Sequence, residues 1–425
     1  MNIEQLHQHF LENAIVSTDT RNISEGCIFF ALKGDNFNGN AYADEALKKG
    51  ARLAVVDESE YATTEKHILV NDVLKTLQEL ARYHRNHCTV KVISLTGSNG
   101  KTTTKELINA VLSKKYKTIA TNGNLNNHIG VPLTLLRITD ETEIAVVEMG
   151  ANHQEEIAFL CSIAEPDFGY ITNFGKAHLE GFGSVEGIIK GKSELYDFLI
   201  ANEKSIFLNA DDPIQIEKLG SYIKKYGFSQ HNSEFYPITF LNADPFVSFR
   251  FDDTEVSSRL IGKYNFTNCA AATIIGKFFN VPTSSIQEAI AEYTPKNNRS
   301  QILEKGGHKI VLDAYNANPT SMQAALENFE QMPAANKVLF LGDMFELGET
   351  TGKEHQNIAD LAAKMNFNQT FLIGKNFDKT KTSLTKYSSF DSLSEDWKNI
   401  SLEKNSLILI KGSRGMALER ILNLF

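Results

Sequence analysis

The chain of 425 residues is too long for one ordinary hydrophobic core, and its 42% content of hydrophobic residues indicates packed globular domains, roughly three by length. Its net charge of −9 argues against a broad nucleic-acid-binding surface, so an anionic substrate must be held by a local site. Four scattered cysteines are typical of reduced thiols, and no signal peptide or membrane-spanning apolar run is recognisable. We therefore expect a cytoplasmic protein without nucleic-acid partners or stable membrane insertion.

The first segment of the chain, residues 1–88, predicts a small α/β domain. Apolar runs at 27–32 and 53–56 predict strands, and residues 41–49 predict a helix. A polar stretch containing Thr18, Thr20 and Arg21 precedes the first strand. From the residues alone this stretch indicates a turn.

A phosphate-binding loop is predicted between a β-branched strand and a helix. The loop comprises Gly97, Ser98, Asn99, Gly100, Lys101, Thr102 and Thr103. The glycines permit a tight turn that points N–H groups at one position, where the helix adds the positive end of its dipole. Lys101 can reach the terminal phosphates, and the Thr102 hydroxyl can join the coordination shell of Mg²⁺. Because only two residues separate the glycines, a plain glycine-rich turn is the alternative.

Polar side chains follow further strands of the expected central domain, residues 89–302. Glu148 ends a buried-looking strand, where open α/β sheets bind ligands, so it is either a Mg²⁺ ligand or an ordinary ion-pairing residue. His178 follows another strand, and a lone histidine is more often a hydrogen-bonding residue than a ligand. Nothing in the periodicity separates Lys192 from solvated surface lysines. Residues 230–260 alternate in a way that predicts an antiparallel subdomain or edge.

Residues 303–425 predict a second doubly wound sheet, after a polar linker at 295–301. Pro319 is expected at the first position of a helix. The whole chain is thus expected to be α/β, with a small N-terminal domain, a central P-loop mononucleotide-binding domain and a C-terminal Rossmann-like domain.

Motifs spread over nearly the whole chain resemble those of the Mur ligases. The most discriminating are Tyr-Asn-Ala-Asn-Pro at 315–319, Leu-Gly-Asp-Met-Phe-Glu-Leu-Gly at 341–348 and Lys-Gly-Ser-Arg-Gly-Met at 411–416. The short phosphate loop is the usual form in this family. The stretches are most similar to those of the members that join D-alanyl-D-alanine to UDP-N-acetylmuramoyl-tripeptide.

The resemblance implies an ATP-dependent ligase that activates the tripeptide carboxylate as an acyl phosphate and forms the pentapeptide precursor of peptidoglycan. Its three domains would bind, in chain order, the UDP-sugar, ATP with metal, and the dipeptide with part of the nucleotide. The implied cofactors are ATP, two Mg²⁺ ions and CO₂, the last as a carbamate on Lys192. We expect a monomer.

The resemblance also implies roles for individual residues. Lys101, Lys192 and His178 would be catalytic, with Lys101 neutralising the γ-phosphate. The implied metal ligands are Thr102 and Glu148 for the first Mg²⁺, and His178 with the Lys192 carbamate for the second. The implied nucleotide contacts, besides the phosphate loop, are Asn268, Arg299, Asp313 and Asn316. The implied substrate contacts are Thr18, Thr20 and Arg21 for the uridine diphosphate, and Arg414.

Two positions depart from the family pattern. Tyr264 stands where relatives commonly have histidine before asparagine, and Ala314 follows Asp313 where many have serine. One alternative function is another amino-acid ligase of the superfamily, which the C-terminal motifs disfavour. Another is a nucleotide-gated binding module, which the extra metal-ligand candidates Glu148, His178 and Lys192 disfavour.

Overall fold

A computed structural model describes residues 1–295 and 298–425. Residues 296 and 297, which fall within the predicted linker, lie outside the described residues. The described chain forms three α/β units in sequence order, which confirms the predicted fold class. Within these described ranges, no helix has the length and apolar character needed to cross a membrane.

The N-terminal unit is a parallel sheet flanked by helices. Its elements are α1 (Ile3–Leu11), β1 (Val16–Ser17), β2 (Ile28–Phe30), β3 (Lys33–Gly34), β4 (Phe37–Asn38), α2 (Ala43–Lys48), β5 (Leu53–Val56), β6 (His67–Leu69) and α3 (Val73–His87). The sheet order is β1-β2-β5-β6. The predicted helix at 41–49 is shorter than expected, because Asn38 caps a 3₁₀ turn at Gly39–Tyr42 before α2 begins.

The central unit carries a parallel sheet buried between helices. Its elements are β7 (Lys91–Thr96), α4 (Lys101–Leu112), β8 (Thr118–Ala120), α5 (Gly130–Leu135), β9 (Ile144–Glu148), α6 (Glu156–Ala164), β10 (Phe168–Ile171), α7 (Leu179–Phe182), α8 (Val185–Ala201), β11 (Ser205–Asn209), α9 (Pro213–Leu219), β12 (Lys225–Ser229), β13 (Tyr236–Pro237), β14 (Thr239–Ala243), β15 (Phe246–Phe251), β16 (Thr254–Ile261), α10 (Tyr264–Phe278) and α11 (Thr283–Glu292). The sheet order is β13-β12-β11-β10-β7-β9-β8, and β14-β15-β16 form the predicted antiparallel subdomain.

The position of β7 determines where the site forms. It lies between β9 and β10, both parallel to it, so the carboxyl ends of all three strands meet at one edge of the sheet. Chain crossovers to either side of one strand create the crevice in which α/β sheets bind ligands. The phosphate loop, Glu148 and the loop after β10 therefore lie together.

The C-terminal unit is a second sheet with helices on its faces. Its elements are β17 (Gln301–Lys305), β18 (His308–Asp313), α12 (Pro319–Gln331), β19 (Lys337–Gly342), α13 (Thr351–Met365), β20 (Gln369–Ile373), α14 (Lys375–Asp378), β21 (Thr385–Tyr387), α15 (Phe390–Asp396) and β22 (Leu407–Lys411). The order is β17-β18-β22-β19-β20-β21, with β17 antiparallel to β18. The expected domain boundary between residues 302 and 303 falls inside β17. Gly306 and Gly307, both with positive φ, form the turn through which β17 pairs with β18.

Helix α3 joins the N-terminal unit to the central unit. Arg85 donates to the Asp167 carboxylate at 2.8 Å, and His84 Nε2 contacts the Ile138 carbonyl at 2.9 Å. The side chains of Arg85 and His84 are both buried. The helix is therefore part of the interface between the two units.

Candidate active site

A cavity of about 1070 Å³ lies between the central and C-terminal units. The predicted site residues that line it are Ser98, Asn99, Gly100, Lys101, Thr102, Thr103, Glu148, His178, Asn268, Arg299, Asp313 and Asn316. These residues are spread over more than 200 positions of the chain. The fold thus brings together residues whose roles were predicted separately, from individual motifs.

The phosphate loop has no room for side chains at its two glycines. Gly97 has a φ of +140° and Gly100 a φ of +80°. A Cβ on Gly97 would lie 2.0 Å from Thr172 Oγ1, and one on Gly100 would lie 2.6 Å from Asn268 Oδ1. The loop is also held from the end of β10, since Thr172 Oγ1 donates to the Asn99 carbonyl at 2.6 Å. Only glycine satisfies both the backbone conformation and the packing.

Lys101 lies against the phosphate loop that precedes it. Its Nζ donates to the Gly97 carbonyl at 2.6 Å. Burial lowers the pKa of Lys101, while the nearby Glu148 carboxylate raises it and the Arg299 guanidinium lowers it. The ammonium is thus poorly hydrated, which strengthens its interaction with an incoming anion.

Glu148 supplies the oxygen atoms that a metal ion would need. Its side chain is almost completely buried, and its Oε1 accepts from Asn126 Nδ2 at 2.7 Å and from Thr102 Oγ1 at 3.2 Å. Its Oε2 is buried and has no hydrogen-bond partner among the described residues. A buried carboxylate oxygen without a partner is costly, and a divalent cation would satisfy it.

Within the described residues there is no group of three or more histidine, cysteine, aspartate or glutamate side chains that would hold a metal. Mg²⁺ in nucleotide sites commonly takes several of its ligands from phosphate and water.

His178 and Lys192 lie in very different surroundings. His178 Nδ1 contacts the Glu346 carboxylate of the C-terminal unit. Lys192 is fully buried in α8, where its Nζ donates to the Ala151 carbonyl at 2.9 Å and lies 4.9 Å from the centre of the Phe182 ring. Burial lowers the pKa of Lys192 well below its ordinary value, and the charge of Lys101 lowers it further. The neutral amine therefore forms more easily than in a solvated lysine.

The C-terminal wall of the cavity is built around Asp313. This carboxylate ends β18 and forms an ion pair with Lys411, which ends the adjacent strand β22. Asp313 also accepts from the Ser300 N–H at 3.0 Å. Lys411 is buried and lines the cavity. No role was predicted for Lys411, although its place at the end of an apolar strand could have indicated one.

Aromatic residues shape the same wall. The Arg299 guanidinium stacks on the Tyr315 ring, 3.6 Å from its centre. Tyr264, at a position that departs from the family pattern, makes a hydrogen bond with Ser300 at 2.9 Å. Both tyrosines line the cavity. An aromatic face beside a guanidinium is suited to a flat base or a phosphate.

The proposed substrate contacts are not among the residues that line this cavity, although the Arg414 guanidinium lies 5.9 Å from the centre of the Tyr315 ring. Thr18, Thr20 and Arg21 belong to the N-terminal unit, and the Arg21 side chain is 86% exposed and paired with Asp19 at 2.7 Å. Arg414 pairs with Glu419 at 3.2 Å. The structure does not bring these four residues into the cavity, so their roles stay predictions.

Comparison with known proteins identifies the family. Models described as the Mur ligase family catalytic domain, the Mur ligase middle domain and the Mur ligase glutamate ligase domain match residues 12–85, 95–276 and 298–414. UDP-N-acetylmuramoyl-tripeptide–D-alanyl-D-alanine ligases of Bacillus subtilis and Escherichia coli are each 34% identical, over 96% of this chain and 92% of the relative.

Solved structures agree with this assignment. A structure of MurF from Acinetobacter baumannii has a TM-score of 0.85 and 29% identity, over 96% of this chain and 92% of that chain. A structure of MurF from Thermotoga maritima in complex with ADP has a TM-score of 0.83 and 28% identity, over 97% of this chain and 96% of that chain. The resemblance seen in the motifs is confirmed: the chain belongs to the Mur ligase family.

Proposed function

We propose that this protein is the ATP-dependent ligase that adds D-alanyl-D-alanine to UDP-N-acetylmuramoyl-tripeptide. The observation that carries the proposal is the cavity in which the phosphate loop and the buried Glu148 carboxylate face Arg299 and Asp313 of the C-terminal unit. The similarity to ligases of this name over 96% of the chain supports the same substrates.

The chemistry requires an activated carboxylate, because a carboxylate itself is a poor electrophile. The tripeptide carboxylate attacks the γ-phosphorus of ATP, which releases ADP and leaves an acyl phosphate. The dipeptide amine then attacks the acyl carbon, and phosphate leaves as the amide forms. The first step brings two anions together, and Lys101 with the loop N–H groups supplies the positive charge that offsets their repulsion.

The buried Glu148 Oε2, which has no hydrogen-bond partner among the described residues, supports the first implied Mg²⁺. Thr102 and Glu148 would hold one Mg²⁺, and His178 with a Lys192 carbamate would hold a second. Bound Mg²⁺ supplies positive charge to the phosphate oxygens. The burial and lowered pKa of Lys192 support the carbamate, because CO₂ adds only to a neutral amine.

The cavity lies between two units, which supports a role for their contact in aligning the substrates. Asn318 Nδ2 of the C-terminal unit donates to Asn99 Oδ1 of the phosphate loop at 2.7 Å, and Lys176 pairs with Glu354 at 3.1 Å. Such contact aligns the reacting groups and keeps water from the acyl phosphate. We propose that the active form is a monomer.

The test is phosphate release from ATP with Mg²⁺, in the presence of the UDP-linked tripeptide, the dipeptide, or both. We expect release only with both, together with a product heavier by one dipeptide. Release that is indifferent to either substrate would contradict the ligase and favour the nucleotide-gated module.

Lys101→Ala is expected to reduce this release by at least about 100-fold, because it removes the cation of the phosphate loop. Lys114→Ala is the matched control, since Lys114 forms ion pairs with Glu288 and Glu292 away from the cavity. Circular dichroism and the melting temperature check that both variants fold. Native turnover in folded Lys101→Ala would refute the role of this lysine.

A further inference from the structure

Lys105 is a buried cation that the proposed mechanism does not use. It lies one helical turn after Lys101 on α4, is 2% exposed and does not line the cavity. Its Nζ donates to the Thr121 carbonyl at 2.8 Å, and the Glu106 carboxylate lies at 3.8 Å. A buried ammonium is expensive unless its surroundings compensate it. The groups around Lys105 must therefore stabilise its buried ammonium.

Thr121 connects this ammonium to Glu148. While its carbonyl accepts from Lys105, its Oγ1 accepts from the backbone N–H of Glu148 at 2.9 Å. Its own N–H donates to the Val146 carbonyl at 3.0 Å. Thr121 is thus bonded to β9 on both sides of Val147 and to α4 through Lys105.

The loop after Thr121 reaches the same carboxylate a second time. Asn126 Nδ2 donates to Glu148 Oε1 at 2.7 Å, and the Asn126 carbonyl accepts from the Gly150 N–H at 2.8 Å. A Cβ on Gly150 would lie 2.7 Å from Asn126 Oδ1, so the loop packs tightly against the end of β9. The position of Thr121 at the start of this loop therefore determines where the Asn126 amide contacts Glu148.

Electrostatic interactions also connect Lys105 with Glu148. Burial lowers the pKa of Lys105, and the Glu148 carboxylate is the largest effect that raises it. The charge of Glu148 thus helps to compensate the buried Lys105 ammonium.

We propose that Lys105 is a positioning residue for divalent-metal binding, acting through Thr121 to orient Glu148 and Asn126. The inference rests on the proposed function for the metal role of Glu148. Lys105 would act without contacting the nucleotide or the metal, because it does not line the cavity. Groups that orient metal ligands typically change metal affinity by about 10- to 100-fold when they are removed.

The test uses Lys105→Met, which keeps the length of the side chain and removes its charge and donors. Mn²⁺ binding to the ADP complex is measured by electron paramagnetic resonance, and ADP binding without metal is measured by calorimetry in EDTA. We expect Mn²⁺ affinity to fall at least about tenfold, with metal-free ADP affinity unchanged. Lys115→Met is the matched control, because its ammonium also bonds carbonyls, those of Phe279 and Asn280, but away from the site.

Two results with the folded variant would overturn the proposal. Unchanged Mn²⁺ affinity would show that Lys105 does not act on Glu148. An equal loss of Mn²⁺ and metal-free ADP binding would show that it shapes the phosphate loop instead. Should Lys105→Met fail to fold, Thr121→Val removes the acceptor for the Glu148 N–H, and native Mn²⁺ affinity in that variant would also overturn the proposal.

These measurements contain no ligation step. A native protein that fails to join the two substrates would refute the proposed function, whereas the Mn²⁺ result decides the role of Lys105 by itself.

Discussion

At the scale of single residues, Lys192 and its neighbour Lys190 differ in burial. Lys190 is exposed, whereas Lys192 is fully buried. The buried side chains of α8 include Ile188, Leu195 and Leu199, and residue 192 falls on the same helical stripe. This spacing was the available signal, because residues on an apolar stripe face the core. The general expectation of a solvated surface lysine is wrong for Lys192.

Lys192→Ala is expected to abolish ligation, because the proposed carbamate needs the buried amine. Short carboxylic acids such as acetate should restore part of the activity, since they can enter the space left by the side chain and supply a carboxylate. Lys190→Ala is the control and should retain activity. Native turnover by Lys192→Ala without added acid would exclude the carbamate.

At the scale of elements, the start of α12 has two functions. Asn318 caps the helix by accepting from the Ser321 N–H at 2.9 Å, and Pro319 follows at the first helical position, as predicted. The Asn318 amide also donates to Asn99 of the phosphate loop at 2.7 Å. One side chain thus stabilises a helix and joins two units.

Asn318→Ala and Asn318→Asp separate these functions. Alanine removes both bonds and should lower the free energy of unfolding by about 1 kcal/mol, the usual contribution of an N-cap. Aspartate keeps the acceptor for Ser321 and loses only the donor to Asn99, so its loss should be smaller. Urea denaturation measures both changes. Equal losses in the two variants would show that the cap contributes nothing.

The packing of α1 on α3 depends on two neutral histidines. His7 Nε2 lies 3.0 Å from His84 Nδ1, and His84 Nε2 contacts the Ile138 carbonyl. Since a carbonyl only accepts, His84 Nε2 carries the proton and its Nδ1 accepts from His7. Burial lowers the pKa of His7 from 6.5 to about 4, with smaller contributions from His84 and His87.

This shift predicts a loss of stability in mild acid. Between pH 6.5 and about 4 the unfolded chain binds a proton at His7 that the folded protein does not. The free energy of unfolding therefore falls as the pH decreases through this range, and the contribution of His7 is fully present above pH 6.5. The melting temperature of the native protein should therefore decrease more steeply over this range than that of His7→Gln, which does not titrate. Parallel curves for the two proteins would contradict the prediction.

At the scale of the whole molecule, contacts between the central and C-terminal units close one side of the cavity. Lys176 pairs with Glu354, its N–H donates to Thr320 Oγ1 at 3.0 Å, and His178 contacts Glu346. These contacts come from the loop after β10, which also holds the phosphate loop. The loop after β10 therefore contacts both the phosphate loop and the C-terminal unit.

Lys176→Ala is expected to favour separation of the two units. A partly exposed ion pair contributes at most about 1 kcal/mol, so the ratio of open to closed molecules should rise up to about fivefold. Single-molecule energy transfer between dyes on the two units measures this ratio. Lys117→Ala is the control, because it removes an ion pair with Glu141 inside the central unit. Identical distance distributions for native protein and Lys176→Ala would refute the expectation.

The sequence by itself determined the elements and the family. The phosphate loop, the strand ends at Glu148 and Asp313, and the proline at the start of α12 are visible because they depend on local backbone preferences and on periodicity within single elements. The C-terminal motifs then identified the family before any contact was known.

Only the tertiary structure decided the environments of the side chains. The burial of Lys192 and Lys105, the connection through Thr121 to Glu148, and the ion pair between Asp313 and Lys411 all join segments far apart in the chain. Burial and charge act through space, so they depend on which strands become neighbours rather than on the order of residues. The pairing of β7 with β9 and β10, and of β18 with β22, is what brought these groups together.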